Sequence, residues 1–279
     1  MKLKLITATL TLSVATAAFA GDTFDRTLHV NDQPDLYVST GSGSIRIHPG
    51  TDSEIHVTGH VHAGWSAFGD INSRIQHIVD NPPITQSGNA IRVGESNDHS
   101  LFNNISIDYE ISVPTSTALN VHSGSGDIEI DHVGRFLAAS SGSGSVRAHG
   151  IHGAATLDTG SGDIEIENEG AGDVKAKTGS GSIRVNGLNG GLYARTGSGD
   201  IEADGTLAGS SRLTSGSGSV RLHIGPNAHF NVDASTGSGN IRVAGAPQSE
   251  HHHLSAPVNG GGPALQIRTG SGDIEVDGR

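Results

Sequence analysis

Three sets of residues in this chain have types and spacings that could do chemistry. The first is a series of Asp-x-Glu pairs: Asp127 with Glu129, Asp163 with Glu165, and Asp200 with Glu202. Two carboxylates on one strand face could serve as the acid and base of a polysaccharide-cleaving β-helix enzyme. The pairs, however, recur on every second unit of a repeat. Active sites are local exceptions to a pattern, so a lattice of carboxylates reads first as structure. The second set is the Gly-Ser-Gly-Asp turns, which resemble half of a calcium-binding nonapeptide repeat. A calcium site needs several oxygen ligands, and alternate turns here carry Ser and Arg instead of acids. The third set is the 16 histidines. His251, His252 and His253 are candidates for capturing a transition metal, although no ligand spacing repeats among the histidines. There is no Gly-x-Ser-x-Gly elbow, and the glycine turns precede strands rather than helices. Nucleophile and phosphate-loop chemistry are therefore not expected, and no cofactor is implied.

The elements that position these residues come from a repeat. Gly-Ser-Gly occurs nine times, beginning at Gly41, Gly124, Gly142, Gly160, Gly179, Gly197, Gly216, Gly237 and Gly270. From Gly124 to Gly216 the steps are 18 or 19 residues, and they then lengthen to 21 and 33. After each turn the chain alternates polar with aliphatic, as in Asp127-Ile128-Glu129-Ile130, which is the period of a strand with one buried face. Before each turn runs a second alternating strand. Its two inward columns trade volume, Leu137 with Ala139 and Ala155 with Leu157, as side chains filling a constant cross-section should.

Two short strands and two turns make one rung of a parallel β-solenoid, right-handed by the usual crossover preference. The fold class expected is all-β. The paired turn glycines, Gly124 and Gly126, Gly142 and Gly144, Gly160 and Gly162, Gly179 and Gly181, Gly197 and Gly199, suit either φ > 0 or close stacking of successive turns. In-register stacking would place Glu129, Arg147, Glu165, Arg184, Glu202 and Arg221 in one outward column of alternating charge, where opposite neighbours attract. In chain order that alternation breaks once, where Arg242 follows Arg221.

The first 20 residues read as a signal peptide. Lys2 and Lys4 precede an apolar run that ends in Ala18-Phe19-Ala20, a run too short to span a bilayer. Export is therefore expected, to the periplasm, the cell surface or the medium. The chain has no cysteine, so packing and backbone pairing must supply its stability. Its formal charge of −12 becomes −14 when the two lysines leave, which argues against a nucleic-acid partner.

Residues 21–120 read as an irregular β section that caps one end of the solenoid. Within it, Asp70 would cap a short helix carrying Ile71, Ile75, Ile78 and Val79, and Trp65 and Phe68 would cover an open end of the core. Residues 121–279 are the regular solenoid, with an inserted loop at about 246–263. Its last turn, at Gly270, is expected to form a bare end suited to end-to-end association.

Ile107-Asp108-Tyr109-Glu110-Ile111-Ser112-Val113-Pro114, followed by Leu119-Asn120-Val121 and a Gly-Ser-Gly-Asp-Ile-Glu-Ile strand, resembles the putative-adhesin (head GIN domain-like) family. These are exported bacterial β-helix proteins of unknown function. The resemblance implies the fold and export, and brings no catalytic residues. The expectation is a non-enzymatic adhesin-like or scaffolding protein that binds a surface ligand, glycan or protein. The alternatives are an enzyme acting on polysaccharide, or a metal-binding module.

Overall fold

The computed structural model describes residues 22–64, 70–96, 99–247 and 252–278. Two sheets of twelve strands face each other across one continuous apolar core. Each Gly-Ser-Gly turn joins a strand of one sheet to a strand of the other, as the repeat predicts, and each rung is named here by the first glycine of its turn. Strands after the turns form the first sheet and strands before the turns form the second. Within the rungs they pair in parallel and in register, for example Ile164 with Ile183 and Glu165 with Arg184. The inward columns are fully buried, Ile164, Ile166, Ile183 and Val185 among them.

None of the turn glycines has a positive φ. Close stacking is the reason for them. A Cβ on Gly181 would overlap the backbone of Gly162 and Asp163 in the rung before it, and one on Gly179 would overlap the carbonyl oxygen of Gly160. The residue before each turn is always Ser or Thr, and its side chain is buried: Thr40, Ser123, Ser141, Thr159, Thr178, Thr196, Ser215, Thr236 and Thr269. Thr178 shows what the hydroxyl does. It accepts a hydrogen bond from the amide of Gly181 (3.1 Å) and donates to the carbonyl of Gly162 one rung away (2.8 Å). The hydroxyls thus form a buried column that satisfies two backbone groups in each rung from Gly124 to Gly216, so the structural motif is longer than Gly-Ser-Gly by one residue. Thr178→Val should leave both groups unpaired and destabilise the protein by about 1–3 kcal/mol. Thr178→Ser should retain most of the stability in the same thermal melts.

The order of rungs is not the order of the chain. The first sheet runs through the Gly41, Gly124, Gly142, Gly160, Gly179, Gly197, Gly216, Gly270 and Gly237 rungs. The C-terminal strands Ala264–Thr269 and Ile274–Gly278 therefore lie between the Gly216 and Gly237 rungs, parallel to both. This corrects two expectations. The Gly270 rung is an internal element and not a bare end. The charge column also does not break, because Glu275 stands between Arg221 and Arg242. Chain-order stacking would have set those two arginines side by side, and like charges on adjacent strands repel.

At this end the outermost strands are Ile241–Val243 in the first sheet and His253–Val258 in the second. The latter lies within the stretch expected to be an inserted loop, and it pairs antiparallel with Phe230–Thr236. One edge is three residues long and the other carries Pro257, features that blunt strand addition.

At the opposite end, strand Ile105–Val113 pairs parallel with Ile45–Pro49, and Glu54–Ala63 and Thr23–His29 then extend the first sheet through antiparallel pairings. Strands Ile84–Ser87 and Ala90–Val93 extend the second. Helix Ile71–Asp80 buries Ile71, Ile75 and Ile78 as expected, but Asp70 makes no side-chain cap; Ser73 instead donates to its carbonyl. Trp65 and Phe68 lie outside the described residues.

Candidate functional site

The residues that looked chemical converge on the outer face of the first sheet. Register places Glu110, Arg46, Glu129, Arg147, Glu165, Arg184, Glu202, Arg221, Glu275 and Arg242 in one column of alternating charge. Arg46 lies 3.1 Å from Glu129, Arg184 lies 3.5 Å from Glu202, and Arg242 lies 3.1 Å from Glu275. The pairs are partly exposed, so each contributes at most about 1 kcal/mol.

The aspartates are occupied as well. The Asp163 carboxylate accepts the amide of Ser182, and Asp200 accepts that of Ser219, each at 2.8 Å. Asp127 accepts Ser145, and Asp273 accepts Asn240, at the same distance. Each of these aspartates therefore spends its carboxylate on the backbone of the next rung, while Glu129, Glu202 and Glu275 pair with arginines of the column; Glu165 stands between Arg147 and Arg184 in register without an ion pair to either. This is a lattice of self-satisfied groups. Arg184→Glu would set three acids in a row with Glu165 and Glu202, and should cost about 1–2 kcal/mol at low salt. Melting at low and high salt reads the effect, since salt should shrink the loss.

A third column on this face was not anticipated. The next outward position along these strands is held by Asp131, His149, Glu167, Asn186, Asp204, His223 and Asp277. His149 and His223 thus stand on arginine-bearing rungs beside acids of the neighbouring rungs. His223 Nδ1 is 2.6 Å from Asp277, and His149 Nδ1 is 3.6 Å from Glu167. The signal in the sequence was the residue two after each ladder charge, visible only once the charge column is taken as a frame.

The candidate metal residues do not share a site among the described residues. His251 lies outside them. His252 Nδ1 is 2.8 Å from the carbonyl of Gly239, while the His253 ring stands 3.9 Å from Asp233. No group of three or more His, Asp or Glu suited to a metal is present among the described residues.

A cavity of about 830 Å³ lies at the N-terminal end, lined by Ser39, Thr85, Gly94, Glu95, Phe102 and Tyr109 among others. Tyr109 is buried, its hydroxyl has no partner among the described residues, and burial pushes its ionisation upward. Glu95 is held by Arg92 at 3.2 Å.

The search of curated proteins finds no match to this chain. Among solved structures, a putative adhesin from Bacteroides fragilis NCTC 9343 is 14% identical, covering 91% of this chain and 97% of its own, with a TM-score of 0.39. A putative cell adhesion protein from Clostridium sporogenes ATCC 15579 is 11% identical, covering 92% of this chain and 100% of its own, with a TM-score of 0.34. A putative adhesin from Parabacteroides merdae ATCC 43184 is also 11% identical, covering 92% and 97%, with a TM-score of 0.31. The sequence itself matches the Toastrack DUF4097 family over residues 33–277. That match takes in every Gly-Ser-Gly rung and the irregular section that joins the first rung to the second, and the chain belongs to the Toastrack DUF4097 family.

Proposed function

We propose that this protein is an exported, non-enzymatic, adhesin-like protein that acts by presenting its sheet faces to a ligand. The observation that carries this reading is the unbroken charge column of the first sheet. Its ten positions alternate in sign from Glu110 to Arg242, and the Asp-x-Glu pairs have backbone or ion-pair partners. Apart from Glu165, the carboxylates of these pairs already have partners, which leaves no pair set apart for general acid and base work. The apolar leader supports export, as does the likeness to putative-adhesin and head GIN domain-like proteins. No helix among the described residues is long and apolar enough to cross a membrane.

A polysaccharide-acting enzyme would find its best concavity at the Tyr109 cavity, whose described lining offers one carboxylate, Glu95. The test incubates the chain without its leader with intact bacterial cells and a panel of immobilised glycans. The same glycans in solution are assayed for new reducing ends. Retention without cleavage is expected, and cleavage of any glycan would replace this reading with the enzyme.

A further inference from the structure

The outer face of the second sheet carries a different charge pattern from the first. Register aligns Lys175, Tyr193, Arg212 and Gln266 in one outward column, and Lys177, Arg195, Thr214 and Arg268 in the next. Four adjacent strands thus present five cations and no carboxylate, on a chain whose formal charge is −12. Lys175, Lys177, Arg195, Arg212 and Arg268 are all exposed. On the first sheet every arginine of the column stands between or beside glutamates, yet among the described residues no carboxylate comes within ion-pair distance of these five. The contacts they do make are weak ones. Arg212 Nε donates to Gln266 at 3.0 Å, and Lys177 Nζ stands 5.9 Å from the centre of the Tyr193 ring.

The patch has limits. Asp158 lies opposite Lys177 on one side, and Asp233 lies opposite Gln266 on the other. Asp173, at the start of the Gly179 rung, gives its carboxylate to the amide of Gly191 at 2.7 Å. The remaining cations near this face are neutralised: Arg92 by Glu95 and Arg135 by Asp35.

We propose that this face binds a linear acidic polysaccharide, laid along the solenoid axis across the Gly179, Gly197, Gly216 and Gly270 rungs. The proposal rests on the surface-presenting reading above and names its ligand class. Five unpaired like charges held side by side are costly unless a polyanion neutralises them. Strand spacing makes the patch about 14 Å long, enough for a few consecutive sugars. Arginine forks suit carboxylate or sulfate groups. Tyr193, half-buried in the middle, borders a depression of about 240 Å³ that Ser210, Arg212 and Gln266 also line. An amphipathic ring beside such a hollow suits the apolar face of a sugar. Apart from Ala264, the outward residues of these four strands include no aliphatic side chain to enter a bilayer. The acidity of the rest of the molecule opposes a dense polyphosphate approaching from a distance.

Binding of the protein without its leader should be measured on immobilised polygalacturonate, dextran sulfate and unmodified dextran. Duplex DNA and vesicles of phosphatidylglycerol serve as competing surfaces. Retention is expected on one or both acidic glycans and not on dextran, the two arms telling carboxylate from sulfate. Salt should release the protein as the screening length falls to about 3 Å at 1 M. Arg195→Glu with Arg268→Glu should weaken retention by about tenfold or more while melting stays near the parent temperature, because no acid faces either cation across the strands. Lys175→Gln with Lys177→Gln is the milder second variant, and Arg184→Gln on the first sheet should leave retention unchanged. Equal binding to dextran, equal binding by the charge-reversed variant, or tighter binding to DNA or vesicles would overturn the proposal. If the charge-reversed variant still adheres to cells, the surface-presenting reading stands and only this assignment of ligand and face falls.

Discussion

Removing residues 264–279 should collapse the far end of the solenoid, with rapid proteolysis between residues 225 and 258 and a large fall in melting temperature. The segment supplies a complete internal rung. Leu265, Ile267, Ile274 and Val276 are all buried to within 2% of full exclusion from solvent. At about 1.5–3 kcal/mol for each buried aliphatic side chain, the four contribute on the order of 6–12 kcal/mol. That rivals the roughly 5–15 kcal/mol by which a whole domain is stable. Removing the rung also strips hydrogen-bond partners from both neighbours, since the hydroxyl of Thr269 donates to Gly218 and that of Thr236 to Gly272. If the Gly237 rung simply closed onto the Gly216 rung, Arg242 would meet Arg221 with no acid between them. A finer version is Glu275→Arg, which places three cations in succession and should cost about 1–2 kcal/mol at low salt and less at high salt. Resistance to protease and a melting temperature equal to those of the parent chain would show that the Gly270 rung sits at an end after all.

Gly181→Ala should be among the most damaging single methyls in the repeat, costing about 3 kcal/mol, the upper range for overpacking. The added Cβ meets Gly162 and Asp163 backbone atoms, which can withdraw only by separating two rungs. Gly179→Ala should follow closely, because its Cβ meets the Gly160 carbonyl. Gly41→Ala is the control. It occupies the place of Gly179 in the first turn, but a Cβ there would have no heavy atom of the described residues within 4 Å. It should therefore shift stability by less than about 0.5 kcal/mol. Urea or thermal melts of the three variants separate stacking from backbone conformation as the reason for glycine. Equal losses at Gly41 and Gly179, which hold the same turn position, would mean that conformation, not proximity, selects it.

The sequence alone determined the unit and its faces. A period of 18–19 residues, two inward aliphatic columns and an alternating outward charge are local properties, because a strand shows each side chain to one face or the other by its position. From these the all-β solenoid, the burial of Ile164 and Ile166, and the neighbours of Arg184 were legible. The buried hydroxyl column was equally present, in the Ser or Thr before every turn, but its role depends on a carbonyl of the neighbouring rung, 15 or 16 residues away in the middle rungs, as in Thr178 with Gly162, and as many as 80 away at Ser123. The order of the rungs was another matter. Any rung can stack on any other of matching cross-section, so periodicity says nothing about which neighbours which, and chain order is only the cheapest guess for loop closure. One trace of the answer was in the sequence: Arg242 following Arg221 where an acid was due. Tertiary structure resolved it by bringing Glu275 back from the C-terminus to stand between them. It also decided where the lysines and arginines without ion-pair partners would gather, because Lys177, Arg195 and Arg268 come into one column only after strands far apart in the chain have paired.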